Sequence, residues 1–306
     1  EDPTWTTFDI SVGNDDPASN PGGADAPYEI SVADMDGDGD MDIVSASYND
    51  DTIAWYENDG NANPTWTAAD IATSADGAFG VFAADMDGDG DMDIISGSIE
   101  DDTIAWYEND GNANPSWTAA DISVGFADGV RHVVAADMDG DGDMDIVSAS
   151  YNDDTIAWYE NDGNADPTWT AAEITASAEG VFDVFVEDID GDGDMDIVSV
   201  SSADGTVAWY ENDGNADPTW TAADIGSESN AVWHAFVADL DGDGDMDIVT
   251  TPANEGNLIW YENDGNVDPS WTVHYIPTDA THLQDLFVGD IDGDGDMDIA
   301  FSGRDN

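Results

Sequence analysis

Six short stretches place carboxylates at alternate positions around paired glycines: DMDGDGDMD at 34–42, 85–93 and 137–145, DIDGDGDMD at 188–196 and 290–298, and DLDGDGDMD at 239–247. In D-x-D-x-D-G-x-x-D, side chains 1, 3 and 5 point into one concavity, glycine 6 permits a sharp turn, carbonyl 7 points inward and carboxylate 9 closes the shell. A hard cation is gripped by oxygens in this way. The candidate ligands are Asp34, Asp36, Asp38, Asp40 (by its carbonyl) and Asp42 in the first loop. Their equivalents are Asp85, Asp87, Asp89, Asp91 and Asp93; Asp137, Asp139, Asp141, Asp143 and Asp145; and Asp188, Asp190, Asp192, Asp194 and Asp196. Asp239, Asp241, Asp243, Asp245 and Asp247, then Asp290, Asp292, Asp294, Asp296 and Asp298, complete the series. A carboxylate-rich shell of many ligands favours Ca2+ over Mg2+, so about six calcium ions are expected, one per loop, each offsetting the repulsion inside it. The loop is not an EF-hand, because position 12 is Ser45 rather than glutamate.

Composition limits the partners. The 306 residues include 72 acidic against two basic, Arg131 and Arg304, with no lysine and a net charge of -70. Nucleic acid and anionic membrane surfaces are therefore poor partners. A chain with 41% hydrophobic and 10% aromatic residues has the means to build a core, unlike a disordered acidic chain. No apolar run approaches a membrane span, so no membrane insertion is expected. Without cysteine, disulfide frameworks and thiol chemistry are excluded. No signal peptide is visible, so the chain reads as a mature or excised piece of a longer protein. Extreme acidity suits a saline medium, where salt screens self-repulsion, as around a marine or salt-tolerant cell.

What positions the loops is a repeat. They begin at Asp34, Asp85, Asp137, Asp188, Asp239 and Asp290, a period of 51 or 52 residues. Each unit carries an apolar run into the loop (YEISVAD in the first), then DIVSAS, TIAWYEN and PTWTAADI. These segments are short, rich in β-branched and aromatic residues, and divided by Asp-Gly and Asn-Asp turns, so they read as strands A to D of a meander. Four-stranded units of this length predict an all-β chain of one domain over residues 1–306, a six-bladed β-propeller. PTW or PSW occurs six times but WYEN five, so the register is circularly permuted. The N-terminal strand over residues 4–10 is expected to close the last, incomplete blade.

The D-x-D-G-D-G-D-M-D-I and A-W-Y-E-N-D-G motifs resemble FG-GAP/VCBS-type repeats, the blades of integrin α-subunit heads and of many secreted bacterial proteins. The resemblance covers nearly the whole chain. It implies a propeller, calcium in the A–B loops and an extracellular role in adhesion or ligand binding. The near-identity of the repeats and the lack of a seventh blade depart from the integrin pattern, so integrin ligand recognition is not carried over.

In a meander, the A–B and C–D turns share one end of the sheet and the B–C and D–A turns the other. The loop end barely varies between repeats. At the opposite end the residues opening strand A do vary, among them Tyr28-Glu29, Phe79-Gly80, Arg131-His132, Phe182-Asp183 and Trp233-His234. Tyr28, Arg131, His132, Trp233 and His234 are the candidate contacts for a glycan or cell-surface protein, against a bland reading as drift at exposed strand starts. The repeated tryptophans are expected to pack between blades rather than to stack on sugars. Lysine, cysteine, G-x-S-x-G and H-E-x-x-H are all absent, so the chain reads as a non-catalytic binding module. The alternatives are the propeller domain of a secreted polysaccharide-degrading enzyme and a structural spacer.

Overall fold

A computed structural model describes residues 10, 24–122, 125–228, 231–253, 256–280 and 282–304. Among them there is no helix. The first repeat forms β1 (Pro27–Ala33), β2 (Asp42–Ser47), β3 (Thr52–Asn58) and β4 (Trp66–Ala72). The second forms β5 (Ala78–Ala84), β6 (Asp93–Ser98), β7 (Thr103–Asn109) and β8 (Trp117–Asp121), and the third β9 (Val130–Ala136), β10 (Asp145–Ser150), β11 (Thr155–Asn161) and β12 (Trp169–Thr175). The fourth contributes β13 (Val181–Glu187), β14 (Asp196–Ser201), β15 (Thr206–Asn212) and β16 (Trp220–Ser227). The fifth gives β17 (Val232–Ala238), β18 (Asp247–Pro252), β19 (Asn257–Asn263) and β20 (Trp271–Pro277), followed by β21 (His282–Gly289) and β22 (Asp298–Arg304).

Each of the first five repeats is an antiparallel four-stranded sheet in chain order, and β21 pairs with β22 alone among the described residues. The chain is thus all-β and built of propeller-type blades. The expected N-terminal strand lies, but for Ile10, outside the described residues. Two compact units divide the described chain: residues 24–137 with 142–176, and residues 138–141 with 177–304.

Register puts each acidic loop at a hairpin tip. The residue before the loop pairs with its ninth position: Ala33 with Asp42, Ala84 with Asp93, Ala136 with Asp145, Glu187 with Asp196, Ala238 with Asp247 and Gly289 with Asp298. Strands B and C are the apolar middle of each sheet, and strands D alternate between half-buried and exposed. Strand D is the edge, so its Thr and Asp side chains meet water.

Within each unit the core lies between successive sheets. In the first, Met35, Val44 and Trp55 pack with Ala78, Val81, Ile94 and Tyr107, and Met86, Ile95 and Trp106 with Val130, Val133, Ile146 and Tyr159. In the second, Val198, Val207 and Trp209 meet Val232, Ala235, Ile248 and Tyr261, while Val249 and Leu258 meet Leu283, Leu286 and Val288. The strand C tryptophans are therefore core residues, as expected of repeats that bury one face on the next.

Candidate metal centres

Backbone amides aim the loop carboxylates inward. Asp34 Oδ1 accepts from Asp38 N (3.0 Å) and its Oδ2 from Gly39 N (2.9 Å). Asp36 Oδ1 accepts from Asp38 N (3.2 Å) and Asp38 Oδ1 from Asp40 N (2.9 Å). Gly37 and Gly39 hold φ of 72° and 96°, left-handed values that L side chains resist. The contacts of Asp34 recur at Asp85 and Asp290, while Asp239 accepts from Gly244 N (3.0 Å) at Oδ2 and from Gly242 N (2.8 Å) at Oδ1.

Carboxylate oxygens consequently converge within 4.8 Å of one another in Asp34, Asp36 and Asp38; in Asp85, Asp87 and Asp93; in Asp137, Asp139 and Asp141; in Asp188, Asp190 and Asp192; and in Asp239, Asp241 and Asp243. Position 9 is buried at the base of the first five loops. Asp42 Oδ2 accepts from Met35 N (3.2 Å) and Oδ1 from Asn58 N (2.7 Å), and Asp93 does the same with Met86 N (3.1 Å) and Asn109 N (2.7 Å). The carboxylate of position 7 turns elsewhere. It packs on the C–D turn, where a Cβ at Gly60 would lie 1.9 Å from Asp40 Oδ2 and where the left-handed φ of 64° favours glycine.

Burial dominates the electrostatics. It pushes Asp36, Asp87 and Asp190 above the usual carboxylate range, with neighbouring loop aspartates adding to the effect. Asp93 and Asp196 are pushed up to about 7 and Asp247 to about 6 by burial, against the lowering effect of the amides they accept from and of an indole N–H alongside. These are carboxylates that pay for their charge. Asp188 Oδ1 and Asp190 Oδ2 are buried and accept no hydrogen bond. A cation satisfies such acceptor-only oxygens, and with the convergence of the neighbouring carboxylates the donor set fits a hard metal ion. Asp34, Asp36, Asp38 and Asp42, with their equivalents, are the residues that would hold it.

The sixth loop differs. Asp290 keeps its amide contacts and Asp298 Oδ2 accepts from Ile291 N (3.1 Å), but Asp298 is exposed where its equivalents are buried. No strand C asparagine covers it among the described residues.

That asparagine was not singled out by the sequence reading. Asn109, Asn161, Asn212 and Asn263, each 2% exposed, end strand C beside the loop. The available signal was a polar residue repeated unchanged at the end of TIAWYEN.

At the other end of the sheets the candidate contacts form two clusters, one in each unit. Tyr28 is 57% exposed and stacks on Phe79, itself 8% exposed, at 4.2 Å. The Arg131 guanidinium lies 5.2 Å from the Phe79 ring and 4.0 Å from that of Tyr151, and His132 Nε2 meets Glu29 Oε1 at 2.8 Å. In the second unit Phe182 packs edge-on to Trp233 at 5.0 Å and to His234 at 5.4 Å, and His234 Nδ1 is 3.2 Å from Asp183 Oδ2. The reading of these positions as uniformly exposed strand starts is corrected here. Phe79 and Phe182 are buried, and Arg131, His132, Trp233 and His234 half-buried, because their side chains turn onto the neighbouring repeat.

The FG-GAP-like repeat family matches residues 34–96, 95–148, 137–199, 188–250 and 249–301. No curated protein matches the chain. Among solved structures, a lectin from Agrocybe aegerita with specific recognition of non-reducing terminal N-acetylglucosamine is similar with a TM-score of 0.57 at 20% identity, over 83% of this chain and 67% of its own. A periplasmic gluconolactonase from Pseudomonas aeruginosa has a TM-score of 0.57 at 12% identity, over 84% and 75%. For a rhamnogalacturonan lyase from Bacillus licheniformis the values are 0.52 and 14%, over 91% of this chain and 55% of the lyase. At such identities the likeness shows the fold alone.

Proposed function

The chain belongs to the FG-GAP-like repeat family, and from that premise we propose a calcium-stabilised, non-catalytic binding module acting in adhesion outside a salt-tolerant bacterial cell. The observation that carries the reading is the convergence of carboxylate oxygens in each of five loops, joined in the fourth by two buried oxygens of Asp188 and Asp190 that accept no hydrogen bond. Calcium supplies positive charge and many coordination positions; the chain supplies rigid hairpin tips that hold the carboxylates ready for it. All of residues 1–306 act as one domain whose stability depends on the ion.

The ligand is a glycan or a cell-surface protein, taken at the sheet ends opposite the loops. Exposed or half-exposed aromatic rings backed by buried ones, Tyr28 on Phe79 and Trp233 on Phe182, are the type of surface that stacks on sugar faces. The similar lectin makes glycans ending in N-acetylglucosamine the first to try. A glycan array run with calcium, followed by affinity and melting temperature of Tyr28→Ala, Trp233→Ala and Asp36→Ala, tests this. The two aromatic changes should abolish retention with little change in melting, and Asp36→Ala should lower melting first. Released product would make the chain an enzyme, and an array without hits would leave a spacer.

A further inference from the structure

The strand C asparagine spends both of its side-chain N–H groups on two different acidic loops. Asn109 Nδ2 donates to Met92 O (2.9 Å), next to Asp93 in its own loop, and to Met35 O (2.8 Å), between Asp34 and Asp36 of the preceding loop. Its backbone N donates to Asp93 Oδ1 (2.7 Å) and its Oδ1 accepts from Gly111 N (3.1 Å). The side-chain amide and the backbone N–H of the residue are therefore fully committed, within a site 2% exposed. Asn161 repeats the set with Met144 O (3.0 Å) and Met86 O (2.7 Å), and Asn263 with Met246 O (3.1 Å) and Ile189 O (2.9 Å). Asn212 likewise donates to Met195 O (3.0 Å) and Met138 O (2.8 Å).

The residue reached in the preceding loop is anchored twice. Met35, Met86 and Ile189 bury their side chains in the core between sheets, while their carbonyls are held by the next repeat's asparagine. Each sits between two candidate ligands, so its backbone must move with them. Asn58 is the contrast: among the described residues its amide reaches only its own loop, through Met41 O (3.0 Å).

Resting on the calcium reading above, we infer that this asparagine is a positioning residue that couples ion binding in one loop to ion binding in the next. An ion in the second loop draws Asp93 and Met92 into place, which fixes Asn109. Through its amide, Asn109 holds the Met35 carbonyl and hence the spacing of Asp34 and Asp36. The first ion orders part of the next site, so the second binds at lower entropic cost. The coupling is reciprocal.

Gly39 and Gly90, which donate to Asp34 and Asp85, are loop-specific reporters. Their amide resonances can be followed while chelator-treated full-length protein is titrated with calcium in high salt, which screens direct repulsion between loops. In the parent chain, Asp87→Ala should empty the second loop and weaken calcium at Gly39 by about 5-fold or more. In an Asn109→Ser background the same Asp87→Ala change should weaken it less than about 2-fold. Asn109→Asp, which keeps the shape and the oxygen accepting from Gly111 but loses both N–H groups, replaces the serine variant if that one fails to fold. An equal effect of Asp87→Ala with and without the Asn109 amide, or no effect in the parent, overturns the coupling and leaves calcium binding intact. No calcium-dependent shift at either glycine overturns the calcium reading and the coupling together.

Discussion

Take the two ends of the first two sheets. At the loop end, the hydrogen bonds accepted by Asp34 and Asp42 are reproduced at Asp85 and Asp93 almost to the tenth of an ångström. At the opposite end, Tyr28-Glu29 is replaced by Phe79-Gly80, and the B–C turn residue Tyr48 by Ile99. Yet that end is also tied between repeats. Asp51, at a φ of 56°, accepts from Gly77 N (3.0 Å), and Asp102, at 57°, from Gly129 N (2.9 Å). The loop end is fixed because several carboxylates must share a small volume, which leaves few arrangements. The opposite end is held by an aspartate carboxylate on the next repeat's turn amide, which leaves the side chains that open strand A free to differ. Sequence variation there marks tolerance of chemistry, and says little of exposure: Phe79 is buried while Tyr28 beside it is not.

The largest difference between the ends should appear on removing the ion. If calcium holds the loops together, excess chelator at low salt, with metal removal verified, lowers the melting temperature by more than about 10 °C, since each occupied site adds stability through mass action. An unmoved transition would break the comparison at its root. Next, Asp93→Ala strips acceptors from the amides of Met86 and Asn109 and should cost about 2–4 kcal/mol in denaturant unfolding.

The other end should show two sizes of effect rather than one. Phe79→Ala should cost about 3 kcal/mol as a truncated buried ring, whereas Tyr28→Ala should cost less than about 1 kcal/mol. Equal costs for the pair would mean the stack is not split between core and surface. The smallest effect belongs to the C–D turns. Asp110 and Asp162 are held at about 2, below an ordinary 3.8, first by the hydroxyls of Ser116 and Thr168 and then by their backbone amides. A depressed carboxylate contributes stability that is present above its unfolded value and lost as pH falls through its folded one. Between pH 4 and 2 the parent should therefore lose stability that Asp110→Ala, already slightly weaker at pH 6, does not lose; parallel acid limbs in thermal melts would remove the turn from the account.

Much of this was readable in the chain. The 51- or 52-residue period and the alternation within each segment dictate four strands per repeat, because a strand's side chains alternate with period two and a repeat cannot bury its face alone. The convergence of loop carboxylates was readable for a related reason: carboxylates at alternate positions around glycine are a local arrangement, settled within nine residues. The role of Asn109, Asn161 and Asn263 was not, since their second partners lie 74 or 75 residues away and nothing in WYEN names a carbonyl in another repeat. Nor was the burial of Phe79, or the seating of Arg131 between Phe79 and Tyr151. Strands, turns and the charge gathered in each loop follow from spacing along one segment, so the chain alone specifies them. Which loops are joined and which aromatic rings face water depend instead on the register of one sheet against the next, and that is set only when the repeats pack.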